Sequence, residues 1–279
     1  MRQPGVKVYA KPETHEVMKT FKKYLKIWWI MSKNSFVMVI SQKLPLSVFL
    51  IGKIVRFSFF FVFLFFILKG SNTLAGYTGN QVVFFFLTFS IIDVVSQFLF
   101  REVYRFRPMI VNGDFDFVLV KPINSLFRVL LGGADVVDLI TIPPLLIATV
   151  YFGSLLNPSF TEIILYLALL LNGFLIATAF NIVVLSLAII TTEIDHMVMI
   201  YRDVTSLGRL PVDIYKEPLR AFITYLIPVG VMVTTPAKAA MGLVAPIGVI
   251  TSFAVGIIAV FVSLKFWNQA LTRYTSASS

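Results

Sequence analysis

Few residues in this chain could do chemistry. His15 and His196 are the only histidines, cysteine is absent, and 14 acidic residues are spread over 279 positions. Glu193 and His196 stand three apart, a spacing that puts a carboxylate and an imidazole on one helix face, as in two-metal bundles. Such a centre needs a second copy and further carboxylates, and neither is visible. The pair reads instead as a polar helix start near an interface. No GxxxxGK[ST] loop occurs, so the chain does not itself cradle nucleotide phosphates. HExxH and GxSxG are missing too, and without cysteine there is no thiolate nucleophile, disulfide frame or Cys-based metal site. The expected assignments are catalytic none, cofactor-binding none and metal none.

What remains is charge in apolar surroundings, where each ionisable group costs at least ~2.5 kcal/mol at a bilayer centre. Asp93 lies inside an apolar run at 81–100, and Lys53 and Arg56 lie inside another at 46–68. Lys53 and Arg56 are one helical turn apart and are the expected partners of Asp93. Such charges serve either as a structural ion pair locking two helices or as the lining of a transport route. Asp135 and Asp138, also a turn apart, are expected to cap a helix start at a membrane edge.

The elements that must hold these charges follow from composition. The chain is 58% hydrophobic, 15% aromatic and only 14% charged, with 28 Phe; soluble domains carry about a quarter charged residues. Too few charges are left to cover a soluble surface, which makes this an all-α integral membrane protein. Runs at 46–68, 81–100, 130–152, 163–190 and 243–266 each supply the ~20 residues that cross ~30 Å of hydrocarbon. Residues 1–56 hold 11 of the 24 basic residues and two acids. In a membrane protein that excess reads as a cytoplasmic terminus on anionic lipid, not as a nucleic-acid site. Over 17–42, Val17, Phe21, Tyr24, Leu25, Trp28, Met31 and Val39 share one helical face and the lysines the other, the pattern of an interfacial amphipathic helix. The first apolar run begins near residue 44, too late for a cleaved signal peptide.

Orientation exposes a gap in this count. The loop at 101–128 carries Arg101, Arg105, Arg107, Lys121 and Arg128 against three acids, whereas the loops at 69–80 and 153–161 are almost free of basic residues. The positive-inside rule then places the amino terminus, this loop and the Lys265 and Arg273 tail in the cytoplasm. Both ends inside require an even number of crossings, so a sixth is needed. Residues 221–237 are apolar, but 17 residues reach only ~25 Å as helix. Pro228 and Pro236 also break the run, and Pro211, Pro218 and Arg220 precede it. The expected rising fifth span is therefore 194–210, with 218–240 a re-entrant segment that dips in and returns.

Three stretches resemble one family. "IVNGDFDFVLVKPINSLFRVL" (110–130) has a Gly-acid turn followed by Leu-x-Lys-Pro. "GRLPVDIYKEPLRAFITYLIPVGVMVTTPAKAAMG" (208–242) has a P-x-x-IY-x-x-x-LR…IP…PA-x-x-x-x-G run. "FWNQALTRYTSAS" (266–278) has W-x-x-A-L-x-x-Y-x-S. Together they resemble the permease subunits of type-2 ABC exporters, in the bacterial six-span branch whose ATPase is encoded separately. The resemblance implies an interfacial amino-terminal helix, six spans and a re-entrant element before the last. It also implies that 101–129 is the cytoplasmic coupling loop docking on that ATPase, with Arg105, Arg107, Pro108, Gly113, Asp114, Phe115, Lys121 and Pro122 as its residues.

The chain thus divides into residues 1–43, a cytoplasmic terminus with an interfacial helix, and 44–279, a six-span transmembrane domain. The expected function is the membrane subunit of an ATP-driven exporter in the cell membrane. ATP and Mg would be held by partner ATPase subunits, and a second permease, identical or related, would complete the path. The alternative is an ion-coupled carrier or channel in which Asp93, Lys53 and Arg56 carry the driving ion. An intramembrane enzyme lacks its nucleophile and metal motifs.

Overall fold

A computed structural model describes residues 14–70, 73–191 and 194–275. Two long helices come first, α1 (Thr14–Ser41) and α2 (Lys43–Gly70), followed by a two-residue antiparallel hairpin, Thr73–Leu74 with Tyr77–Thr78. α3 (Gly79–Leu99) leads into a 3-10 turn, Arg101–Arg105, and three short helices, α4 (Phe106–Val111), α5 (Asp114–Leu119) and α6 (Ser125–Leu130). Then come α7 (Val136–Ser154), α8 (Phe160–Thr191) and α9 (Ile194–Ser206). A broken stretch holds α10 (Leu219–Ala221) and α11 (Thr235–Ala239), and α12 (Pro246–Thr272) closes the chain. α2, α3, α7, α8 and α12 are long and apolar enough to cross a membrane, and the bent pair Leu219–Leu226 with Gly230–Ala239 could make a sixth element.

α8 and α12 form the spine, and they run parallel. Near one end Gly242 lies on Glu162, and midway Asn172 donates to the Ser252 carbonyl at 2.8 Å. Near the other end Trp267 and Ala270 share a core with Ala188 and Ile189. Two consecutive long helices pointing the same way oblige the residues between them to travel back along the whole bundle. α9 begins that return. At 13 residues it is about 20 Å long, and the chain leaves it through a 3-10 turn, Leu207–Arg209, with Leu210 packed at the level of Ile176 and Ala177. The rise expected over 194–210 is thus helical for its lower part only.

The expected third span, 130–152, also starts later. Val129 and Leu130 end α6 in the core under α4 and α5, and α7 begins at Val136. Gly132 and Gly133 interrupt the helix, and at Gly132 a Cβ would collide with the Arg128 carbonyl at 2.4 Å. These two apolar residues are buried against protein, which a hydropathy run cannot distinguish from burial in lipid.

Core density is uneven. Within their most apolar windows 67% of α3 and 61% of α8 are buried inside the molecule, but only 6% of α2. α2 is held at the margin by Phe60 stacked on Phe86, ring centroids 3.9 Å apart, and by two ion pairs. α1 lies across the bundle end: Tyr24 meets Phe127 edge-on, Trp28 meets Phe98, and Ser32 accepts from the Ala134 amide. Phe21, Leu25 and Trp29, like Lys22, Lys23 and Lys26, are exposed.

Candidate functional site

The segment between α3 and α7 is built as a cap on one end of the bundle. Asn112 ends α4, and Gly113 follows with φ +77°, a left-handed conformation that a Cβ would strain; α5 starts at Asp114. This tight turn folds α5 back so that Phe115 is fully buried, edge-on to Phe106 at 5.1 Å and to Tyr274 at 5.1 Å. Trp267 completes the aromatic set. Arg128 bonds Glu102 at 2.7 Å, and Arg105 faces the same carboxylate and Ser35 of α1. The cap is therefore tied to α1, α8 and α12 at once.

The predicted loop residues separate into two groups. Phe115 and Arg105 face inward and hold the cap. Arg107, Pro108, Asp114, Lys121 and Pro122 are exposed, with Gly113 half-buried at the turn. Sequence reasoning missed the side chains that dominate the outer surface: Val111, Phe117 and Val120 are 57%, 66% and 80% exposed. Phe115 and Val118, three apart on α5, face in while Phe117, Leu119 and Val120 face out; all five are apolar, so the sequence carried no signal that separates them.

The intramembrane charges pair differently from expectation. Arg56 meets Asp93 at 3.3 Å. Lys53 instead bonds Asp138, whose carboxyl is buried in the first turn of α7. Asp135 caps α7 by accepting from the Val137 amide at 2.8 Å and also pairs with Arg101 at 3.1 Å. Each pair ties one helix to the next: α2 to α7, α2 to α3, and the cap to α7. Glu193 lies outside the described residues. His196 stands on the exposed side of α9, and among the described residues no three His, Asp or Glu side chains gather as a metal site would need.

The broken stretch before α12 is a hairpin. Two π-helical turns, Phe222–Leu226 and Gly230–Thr234, flank Pro228, and their limbs meet at 75°. Arg220 at the start of the first limb and Lys238 at the end of the second both reach the Asp213 carboxylate, each at 2.7 Å. A segment whose two ends converge on one side chain goes in and comes back. Tyr77, from the hairpin between α2 and α3, donates to the same carboxylate at 2.9 Å. At the tip, Val229 packs on Gly208, and the returning limb lays the Met232 carbonyl against α8 where a Cβ on Gly173 would come within 2.5 Å. Pro211 and Pro218 flank the turn that presents Asp213, and Pro236 opens α11. Asp213 itself escaped notice in the sequence because its partners Tyr77, Arg220 and Lys238 stand on three separate elements that only the fold brings together.

A family model described as ABC-2 family transporter protein matches residues 54–278. The chain belongs to that family. It is a permease, a multi-pass membrane component of a transporter, and is not itself an enzyme. No curated protein and no solved structure matches it. The matched region begins within α2 and includes the cap, the hairpin and α12, so the geometry above describes the permease unit itself.

Proposed function

We propose that the permease is the membrane-spanning half of an ATP-driven exporter, with the cap as its docking surface for a separate cytoplasmic ATPase. Six crossings follow: α2, α3, α7, α8, the composite return through α9 and the turns after it, and α12. The hairpin at 218–240 then dips from the outer side, and α1 lies in the inner interface with its exposed lysines toward anionic headgroups. Both termini and the cap are cytoplasmic in this arrangement. ATP and Mg bind the partner, and a second permease, identical or related, completes the substrate path.

The observation that carries this reading is the cap's two-sidedness. Its inner face is locked to the ends of α8 and α12 through Phe106, Phe115 and Trp267, while its outer face presents Val111, Phe117 and Val120. Exposed apolar groups rimmed by polar residues mark partner surfaces. A push on that face reaches two long helices through packed aromatic rings.

The test is to find whether an ABC ATPase is encoded beside the permease and to co-purify the two. Replacing Phe117 and Val120 by Asp should weaken the complex about tenfold or more, as loss of central apolar anchors does, with the melting temperature of the permease unchanged. Unaltered association and unaltered ATP-dependent transport would remove the docking role. Flux through the purified permease alone would favour the ion-coupled alternative.

A further inference from the structure

Three pockets join along the open side of α2, linked through Arg56 and Asp93. The first, about 570 Å³, lies at the cap end between α2, α3 and α7 and is lined by Lys53, Arg101, Arg105 and Arg202 with Asp135 and Asp138. The second, about 400 Å³, is bounded by α9 and holds Arg202, Arg209 and Asp203. The third, about 410 Å³, is walled by Phe57, Phe59, Phe60, Phe63 and Phe86, with Arg209 at its mouth. From Gln97 to Phe86 the groove rises 11 residues along α3, about 16 Å. It begins at the cap and ends near mid-height in phenylalanine.

Six cations face four carboxylates along this groove. Asp93, Asp135 and Asp138 are each engaged, by Arg56, Arg101 and Lys53. The fourth, Asp203, is exposed on α9. Among the described residues neither Arg202 nor Arg209 is ion-paired with a carboxylate. Arg209, half-buried, has the face of the Phe89 ring 5.9 Å away. Arg202 is exposed, and Asp93 and Asp203 lie close enough to Arg209 to act on its charge without closing an ion pair; the Arg209 donors thus stay open to the paired oxygens of a phosphate or carboxylate. Immediately above it the wall turns aromatic.

We infer that this groove binds an anionic amphipath, with its phosphate or carboxylate head on Arg202 and Arg209 and its hydrocarbon part against the Phe57–Phe63 face of α2. This deepens the exporter reading by naming a substrate class. The head enters from the cap end, and the tail lies on a helix that is almost wholly uncovered by the rest of the chain. One chemistry has two sources, a bilayer lipid or a soluble amphipathic anion, and the headgroup contacts are the same for both.

The experiment uses the purified permease in nanodiscs of zwitterionic lipid and a dodecyl phosphate bearing a terminal diazirine. Photolabelling should fall on peptides of α2, α3 and α9 and be competed by plain dodecyl phosphate, but not by dodecyltrimethylammonium or by inorganic phosphate. Arg202→Gln with Arg209→Gln should weaken labelling at least about tenfold, a change of ~1.4 kcal/mol. Arg209→Lys should keep part of it, and Lys216→Gln, away from the groove, should change nothing. Competition by phosphatidylglycerol in the disc at comparable concentration assigns the source to the bilayer; its absence assigns it to a soluble amphipath. Labelling outside these helices, equal competition by the cationic amphipath, or undiminished labelling of the double variant with an unchanged melting curve overturns the inference. Competition by inorganic phosphate alone overturns the part played by the phenylalanine wall. No ATPase is needed, so this result and the docking result fail independently.

Discussion

At the scale of single residues the permease uses charge mainly to join helices. Lys53 and Asp138 are mutually dependent, because removing one leaves the other buried without a counter-charge, typically at a cost of about 3–5 kcal/mol. Lys53→Met should therefore lower the melting temperature sharply, while Lys53→Met with Asp138→Leu should recover most of the loss. Differential scanning fluorimetry of the three proteins measures this; a double variant as unstable as the single one would show that the pair does more than cancel charge. Asp213 behaves differently. Burial pushes its carboxyl up, but hydrogen bonds from Lys238 and Tyr77 and the charges of Lys238 and Arg220 outweigh that and hold it below the usual carboxylate range. A folded-state value below the unfolded one contributes stability that is complete above the unfolded value and fades as pH falls through the folded one. The stability that Asp213 adds, read as the difference in melting temperature from Asp213→Asn, should stay level from pH 7 to about 4, the ordinary aspartate value, and shrink below it. Asp213→Asn should be less stable at neutral pH and lack that acid step. Charged positions could be read from the sequence; their pairing could not. Lys53 and Arg56 lie one turn apart on α2, so either could meet Asp93 on another helix, and the sequence does not say that Asp138 in the first turn of α7 stands opposite Lys53.

At the scale of elements, contact distance decides most. The returning limb of the hairpin meets α8 backbone to backbone at Gly173, so Gly173→Ala must displace the Met232 carbonyl. A loss of about 1–3 kcal/mol is expected, the usual range for overpacking, with faster proteolysis confined to 218–240 as the local readout. Gly113→Val should strain the left-handed turn by about 1–3 kcal/mol and weaken ATPase association while leaving the long helices intact, which limited proteolysis can separate. The long runs at 81–100, 163–190 and 243–266 announced their helices to within a few residues, because lipid-length apolar runs admit little else. The run at 130–152 misled because Val129 and Leu130 are apolar for the cap's core. The segment 194–210 was legible only in part: its polar residues marked a helix facing protein or water, but nothing local says where the helix yields to the 3-10 turn that carries Arg209.

At the scale of the whole molecule, the parallel course of α8 and α12 requires a return between them, which the proposed topology gives to the residues before the hairpin. Single cysteines, introduced into a chain that has none, allow the arrangement to be mapped. Arg105→Cys and Thr275→Cys should react with an impermeant maleimide only after the membrane is opened, and Lys216→Cys, exposed just before the hairpin, should react in intact cells. Labelling of position 105 from outside would invert the proposed orientation. α2 has a distinct mechanical standing. Its neighbour α3 is largely buried in the molecule, whereas α2 is joined to the rest through two ion pairs, the buried Leu64 and three rings around Phe86. With so little of its most apolar stretch buried inside the molecule, α2 leaves an outer face that only something beyond this chain can cover.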